Sequence, residues 1–263
     1  MQVASPPREP KYGGSRYDWS MRRVDLSADL GELPGPEGRR HDVALMGFVT
    51  TAHLACGGHA GDVESMAAGI EAALARAVQI GAHPSYLDRE GFGRRPQSTE
   101  ASEVVTSVLE QLSRLDDLAA KAGARVASVK PHGALYHDLS TDPDLAELLF
   151  AELSSREGVV VLAAASRAVD WARAAGCSVI EEGFCDRRYR HDGGLVARTE
   201  PDAMVDEPSA AAAQAVLLVS EGLGASGQRV DSICLHSDHR RALEIAQATR
   251  EALSAAGIDV TAP

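Results

Sequence analysis

Aromatic residues are scarce in this chain: they make up 4% of its 263 residues, although hydrophobic residues make up 44%. Alanine, valine and leucine must therefore fill most of the core, which is large enough for one large domain or two small ones. The sequence also lacks an apolar run of membrane-spanning length and a secretory segment at its start. These absences predict a cytoplasmic protein without a membrane partner.

Basic residues are outnumbered by acidic ones, 26 to 38, which gives a formal net charge of -12. An acidic surface repels phosphate backbones, so we expect no nucleic-acid partner. Cysteine is limited to four residues without a CxxC pair or a zinc-site spacing: Cys56, Cys177, Cys185 and Cys234. These thiols are typical of buried packing in a reducing compartment. A catalytic thiol is the alternative for the three at predicted strand ends, Cys56, Cys185 and Cys234.

Signatures of several common enzyme classes are missing. The sequence contains no P-loop, no GxSxG nucleophile elbow, no HExxH zinc motif and no GxGxxG dinucleotide motif. Any chemistry is therefore expected to be acid–base or electrostatic rather than Rossmann-type redox chemistry.

The chain is organised as a short tail followed by one domain. Residues 1–20 are rich in proline, glycine, arginine and serine without periodicity, which predicts a disordered extension. Residues 21–263 alternate between strand-like and helix-like segments without a linker, so they are interpreted as a single domain. Predicted strands include 24–30, 126–130 and 178–182, and predicted helices include 42–50, 100–122 and 238–256.

Continuous apolar strands that alternate with helices indicate an α/β protein with a parallel sheet. About seven or eight such units, with short connections and reactive residues at nearly every strand end, predict a closed, TIM-like (β/α) barrel. An open doubly wound sheet is the alternative.

Histidines recur where an apolar run gives way to glycines or a turn. Five of the nine are placed in this way: His53, His59, His83, His132 and His236. Because the carboxyl ends of barrel strands face one mouth, these side chains are expected to meet there. A helix cap or a turn is the simpler explanation for any one of them, but the repeated placement favours an active site.

Charged residues accompany these histidines. Lys130 ends a buried strand two residues before His132, and a buried ammonium group must be paired or functional. Asp25 and Asp29 are an even number of residues apart on one strand, so both can point to the same side, towards the mouth. Asp62 is more typical of a helix cap. The other candidates for proton transfer, metal binding or anion binding are Glu32, Arg94, Glu182, Asp186 and Arg187.

Six segments, taken in order, resemble the LamB/YcsF family: VDLSADLGE, TAHLACGGHAGD, IGAHPSYLDREGFGRR, VKPHGALYH, EEGFCDRRY and ICLHSD. The resemblance runs from about Val24 to the C-terminus. It implies a barrel of the glycoside hydrolase/deacetylase type. It also implies ATP-dependent hydrolysis of the cyclic amide 5-oxo-L-proline to L-glutamate, with ATP and Mg²⁺ as co-substrate. The activity is implied for an assembly with 5-oxoprolinase subunits B and C.

Residue by residue, the resemblance carries over Asp25, Asp29, Gly31, Glu32, His59, Asp62, His83, Lys130, His132, Glu182, Asp186, Arg187 and His236. We expect the catalytic residues to be Asp25, Asp29, Glu32, His59, His83, Lys130, His132, Glu182 and Asp186. Substrate or phosphate would be bound by Arg187, Arg94 and His236. Asp29 or Asp186 would be the general base, the histidines would position protons, and Lys130 would stabilise developing negative charge.

The sequence departs from the family pattern at Ser27, His53, Gly58, Leu87 and Ser237. Several of these positions border the expected mouth, which leaves an altered substrate open. Two other functions also stay open. One is a metal-dependent amide or carbohydrate deacetylase with Asp25, Asp29, His59 and His83 as ligands. The other is a non-catalytic scaffold for partner subunits.

Overall fold

The computed structural model describes residues 23–164, 166–224 and 227–263. The expected disordered extension, residues 1–20, lies outside the described residues. The strands are β1 (Arg23–Leu30), β2 (Thr51–Ala55), β3 (Gln79–His83), β4 (Ser128–Val129), β5 (Val159–Ala163), β6 (Val179–Phe184), β7 (Ser232–His236) and β8 (Asp259–Val260). The helices are α1 (Gly35–Leu45), α2 (Val63–Leu74), α3 (Ala101–Lys121), α4 (Gly133–Asp138), α5 (Pro143–Ser154), α6 (Arg167–Ala174), α7 (Pro208–Glu221) and α8 (Ala242–Ala255).

Strands β1 to β7 form a closed parallel barrel. Each pairs with the next strand along the chain, and β1 also pairs with β7, which closes the ring. The register places Asp29 opposite His53 on β2 and opposite His236 on β7. Strand β8 pairs with the first residues of β1, where Asp259 lies opposite Arg23. The predicted closed (β/α) barrel is confirmed.

Alternation along the strands separates an apolar layer from a polar lumen, as β1 illustrates. Leu26, Ala28 and Leu30 belong to the hydrophobic core that the strands share with the helices. The intervening Asp25 and Asp29 point the other way and contact polar side chains of other strands. Polar groups buried in this way need partners, because desolvation without a hydrogen bond is costly. The fold therefore concentrates buried charges on the barrel axis.

Helix α1 begins at Gly35, although the sequence predicted this helix at 42–50. Pro36 lies in its first turn, where a missing N–H leaves no hydrogen bond unmade. Gly38 is required inside the helix because a Cβ there would lie 2.2 Å from the carbonyl oxygen of Leu33. Proline and glycine, which normally interrupt helices, therefore occupy the first turns of α1.

Two other boundaries differ from expectation. Helix α8 begins at Ala242 rather than 238, and residues 237–241 form a turn beside the mouth. The short helix α4 was not expected. The amphipathic helix expected at 100–122 is present as α3, with its valine and leucine stripe buried.

The four cysteines are free and buried, as expected of packing residues. Throughout the described ranges, no helix is both long enough and apolar enough to cross a bilayer.

Candidate active site

The carboxyl ends of the barrel strands gather the charged residues of the lumen at one mouth. They come from β1 and the turn after it, the loop after β2, the ends of β3, β6 and β7, and the segment after β4. The buried members of this group are Asp29, Glu32, His59, His83, Lys130, His132, Glu182, Asp186, Arg187 and His236. Their convergence was expected from the sequence, and their catalytic roles stay predictions.

Lys130 lies at the centre of the mouth with 2% of its surface exposed. Its Nζ donates to Asp29 Oδ1 at 2.9 Å and to Cys234 Sγ at 2.9 Å, and lies 3.1 Å from Glu182 Oε2. Burial opposes the charged ammonium, but Asp29 and Glu182 outweigh it and hold the pKa of Lys130 well above its usual value. The sequence predicted that this buried lysine is paired or functional, and the structure shows that it is paired.

The pKa values of the two carboxyl groups beside Lys130 are shifted in opposite directions. Burial favours a neutral Asp29, but His83 and Lys130 outweigh it and hold the Asp29 pKa well below its usual value. Burial raises the pKa of Glu182, against the opposing effect of Lys130. Tyr136 donates its hydroxyl to Glu182 Oε1 at 2.6 Å. Two neighbouring carboxyl groups whose pKa values are shifted apart are typical of acid–base sites.

The histidines form a compact cluster around Glu32. Nε2 of His59 lies 3.0 Å from Glu32 Oε1, and the His59 ring stacks on His132 at 3.7 Å between centroids. His132 Nδ1 lies 3.0 Å from His83 Nε2. Burial holds the pKa of His132 well below its usual value and lowers that of His59. In His83, Asp29 outweighs burial and raises the pKa.

Asp25 was expected at the mouth but lies deeper in the barrel, and this expectation is wrong. It is near the start of β1, opposite the first residue of β7, whereas Asp29 is opposite the last. Its carboxylate accepts hydrogen bonds from Thr50 and Thr51 at 2.7 Å each and from Ser232 at 2.6 Å. An even spacing puts two residues on the same face, but four residues along a strand place them in different layers. The ligand set Asp25, Asp29, His59 and His83 is therefore not assembled.

Asp186 orients His236 on the far side of the mouth. Its Oδ2 accepts from the His236 backbone N–H at 2.8 Å, and the ring Nδ1 lies 3.0 Å from both carboxylate oxygens. Burial favours a neutral Asp186, but His236 outweighs it and lowers the pKa of Asp186. The His236 ring stacks on Phe184. An imidazole held at Nδ1 in this way presents Nε2 for proton transfer or for a substrate oxygen.

Three arginines give this side of the mouth its positive charge. Arg94 and Arg198 contact the same oxygen, Asp238 Oδ2, at 2.6 and 3.3 Å. Arg187 donates Nη2 to the Val196 carbonyl at 2.8 Å, and its buried Nε has no hydrogen-bond partner among the described residues. Burial and the neighbouring Arg198 lower the pKa of Arg187 to about 10. A carboxylate or phosphate would supply the missing acceptor.

Two of these contributors were not found from the sequence. Arg198 lies in an irregular stretch without periodicity, and only the fold brings it to Asp238. Tyr136 belongs to the quoted segment VKPHGALYH, but its hydroxyl reaches Glu182 only because α4 follows β4 immediately.

His53, one of the positions that depart from the family pattern, lies within the lumen, with its Nε2 3.2 Å from Ser128 Oγ. It fits because its neighbour on β3 is Gly81, where a Cβ would lie 2.3 Å from the His53 ring.

Asp62, by contrast, is the helix cap that the sequence suggested. Its carboxylate accepts from Ser65 N at 2.8 Å, and Ser65 Oγ accepts in return from Asp62 N at 2.8 Å. This reciprocal capping box begins α2. The residue is exposed and outside the buried cluster.

Comparison with known proteins connects this site to a family. The model of the LamB/YcsF family matches residues 24–263. The A subunit of 5-oxoprolinase from Methylococcus capsulatus is 42% identical over 249 residues, which cover 92% of this chain and 96% of that protein. The corresponding A subunit from Erwinia tasmaniensis is 40% identical over 247 residues, covering 91% of this chain and 99% of that protein.

Among solved structures, a lactam utilization protein from Thermus thermophilus has the same fold with a TM-score of 0.82. The two chains are 34% identical, and the alignment covers 92% of this chain and all of the other. The similarity spans the whole barrel and so includes every strand end that contributes to the mouth.

Proposed function

The chain belongs to the LamB/YcsF family, and from this membership and the site geometry we propose that it is the hydrolytic subunit of an ATP-dependent 5-oxoprolinase. It would open the lactam ring of 5-oxo-L-proline to give L-glutamate, with ATP and Mg²⁺ as co-substrate. The word subunit in the relatives' names supports a multi-subunit complex. We propose that subunits B and C complete it, in the cytoplasm.

The observation that carries the proposal is the buried group of Asp29, Lys130 and Glu182. A lactam is a poor electrophile, so its hydrolysis needs an activated water, stabilisation of the oxyanion and a proton for the departing nitrogen. Asp29, held as a carboxylate, would accept the proton of the attacking water. Lys130 would stabilise negative charge on the lactam oxygen. Glu182, whose pKa is raised, would deliver the proton to the nitrogen.

ATP would serve to activate the lactam oxygen. Transfer of the γ-phosphoryl group to that oxygen would release ADP and make the ring carbon more electrophilic, and a first water would then attack that carbon. The ring C–N bond would break as the nitrogen is protonated, which leaves a γ-carboxyl phosphate. A second water would hydrolyse this acyl phosphate to glutamate and inorganic phosphate. Arg94, Arg187 and Arg198 would bind the substrate carboxylate or the phosphoryl group, since guanidinium groups suit both. His236 would bind the same group beside these arginines.

A metal-dependent amide or carbohydrate deacetylase is the second candidate. Four buried residues, Glu32, His59, His83 and His132, each offer one ligand atom, and these atoms lie within 4.8 Å of one another. This ligand set differs from the one that the sequence suggested. A deacetylase would act without ATP and without partner subunits, which separates the two functions.

The test measures glutamate released from 5-oxo-L-proline, with and without ATP, by this chain alone and with subunits B and C. We expect ATP-dependent glutamate from the complete assembly and none from the chain alone. An assembly built with Lys130→Met should be inactive, whereas Lys121→Met, at an exposed helix end, should be fully active. A folded, complete assembly that releases no glutamate would overturn the substrate. Full activity with Lys130→Met would instead indicate a scaffold.

A further inference from the structure

The two central imidazoles of the histidine cluster have their tautomers fixed by backbone carbonyls. His83 Nδ1 lies 2.7 Å from the carbonyl oxygen of Lys130, and His132 Nε2 lies 2.9 Å from that of Phe92. A carbonyl oxygen only accepts hydrogen bonds, so each of these nitrogens carries the hydrogen. In neutral rings the other two nitrogens, His83 Nε2 and His132 Nδ1, then present lone pairs to each other at 3.0 Å. Two lone pairs this close need a positive charge between or beside them.

Glu32 places a third potential metal-ligand atom, a carboxylate oxygen, beside these two nitrogens. Its Oε1 lies 3.4 Å from His132 Nδ1 and 3.8 Å from His83 Nε2. Neighbouring ligand atoms in a tetrahedral site with metal–ligand bonds of about 2.0–2.1 Å are about 3.3 Å apart. The three distances among these potential ligand atoms, 3.0, 3.4 and 3.8 Å, lie around that value.

The charge around Glu32 also calls for a cation. This carboxylate is 7% exposed. Within the described ranges its ion-pair partners are His59, His83 and His132, whereas the Lys130 ammonium group is paired with Asp29 and Glu182. A buried carboxylate without a fixed positive partner is costly, and a bound cation removes that cost.

We propose that Glu32, His83 and His132 bind one divalent transition-metal ion, with the fourth position open towards the mouth. Two imidazoles and a carboxylate suit zinc, cobalt, nickel or iron rather than calcium or magnesium. Metal-bound histidines generally donate their other ring N–H to a carbonyl or carboxylate, as both of these do. His59 does not fit that pattern, because its Nδ1 has no hydrogen-bond partner among the described residues. It orients Glu32 through Nε2 instead.

This proposal concerns binding and does not depend on the lactam reaction. The full chain, stripped with a chelator, is titrated with Zn²⁺ in a calorimeter and with Co²⁺ in a spectrophotometer. We expect one ion per chain. His83→Gln and His132→Gln, which remove ligands, should each weaken binding by more than about 100-fold, and His59→Gln, which removes only a contact that orients Glu32, by about 10–100-fold. His137→Gln, an exposed histidine on α4, is the matched control and should bind as the unaltered chain does.

X-ray absorption at the zinc edge on the unaltered protein keeps the test decisive if a variant fails to fold. The expected spectrum shows two imidazole ligands and oxygen ligands at about 2.0–2.1 Å. Binding well below one ion per chain, or equal binding by the folded His83→Gln and His132→Gln variants, would overturn the proposal. A proton shared by the two nitrogens would then be the charge that the geometry requires.

Discussion

Lys130 holds the buried negative charges of the mouth together. Its ammonium group is the shared partner of Asp29 and Glu182, and these side chains are almost fully buried. Removing one member of such a group leaves the others desolvated and unpaired, which costs more than the net gain from forming the group. Lys130 therefore has both a structural and a chemical role.

We predict that Lys130→Met lowers the free energy of unfolding by about 3–5 kcal/mol, because Asp29 and Glu182 lose their cation inside the barrel. Urea unfolding followed by circular dichroism measures this loss. Lys121→Met, in the exposed last turn of α3, should change stability by less than about 0.5 kcal/mol. Equal stability of the two variants would show that the buried charges are satisfied without Lys130.

At the scale of single elements, α2 begins at the capping box of Asp62 and Ser65. The resemblance to the family included Asp62 among the carried-over positions, yet the structure gives it a local role at the helix start. Exposure and distance from the lumen separate it from the buried site residues.

We predict that Asp62→Ala destabilises the chain by about 1 kcal/mol without changing turnover by the assembly, because the hydrogen bond from its carboxylate to the first turn is lost. Thermal unfolding and glutamate release measure the two effects. Glu71→Ala, exposed on the same helix, serves as the control. A large loss of activity in a folded Asp62→Ala assembly would place Asp62 in the site.

Helix α1 is attached to the mouth through a buried carboxyl group. Asp42 Oδ2 accepts from the backbone N–H of Gly31 at 3.0 Å, while Oδ1 has no hydrogen-bond partner among the described residues. Burial raises the pKa of Asp42 from 3.8 to about 7, although the Gly31 hydrogen bond opposes this. The folded chain therefore binds a proton that the unfolded chain has already released between these two pH values.

This pKa predicts a pH-dependent effect of Asp42→Asn. A raised pKa contributes stability that is complete below about pH 4 and is lost as the pH rises through 7. Relative to the unaltered chain, Asp42→Asn should gain at most about 4 kcal/mol of unfolding free energy between about pH 4 and pH 8. Urea unfolding of both proteins across this pH range measures it. A difference that does not change with pH would contradict the prediction.

At the scale of the whole molecule, closure of the barrel makes each strand depend on two neighbours. Strand β1 is the extreme case, because it pairs with β2 and β7 along its length and with β8 at its start. One continuous hydrophobic core joins these strands to the helices. The ring cannot lose one strand without exposing the edges of two others.

We therefore predict that the barrel unfolds in a single transition. The urea midpoint from far-UV circular dichroism, which reports the helices, should coincide with that from tryptophan fluorescence, which includes Trp171 on α6. Separate midpoints would show that part of the ring melts independently, contrary to this interpretation.

The sequence alone determined the fold class and most of the charged residues that meet at the mouth. Continuous apolar strands alternating with amphipathic helices specify a parallel sheet, and residues that follow those strands must reach one end of it, whether the sheet is open or closed into a barrel. The pairing of Lys130 followed from its position at the end of a buried strand. These features are local in the chain, so their periodicity and order are visible without coordinates.

The tertiary structure decided which of these residues touch. Asp25 has the same strand and face as Asp29, but it lies four residues earlier, opposite the first residue of β7, and the structure places it in a lower layer, among hydroxyl groups. Arg198 reaches the mouth from an irregular segment without a pattern. Glu32 joins His83 and His132 because separate strands end at the same height. Distances between side chains on different strands depend on register and closure, which no single segment of sequence encodes.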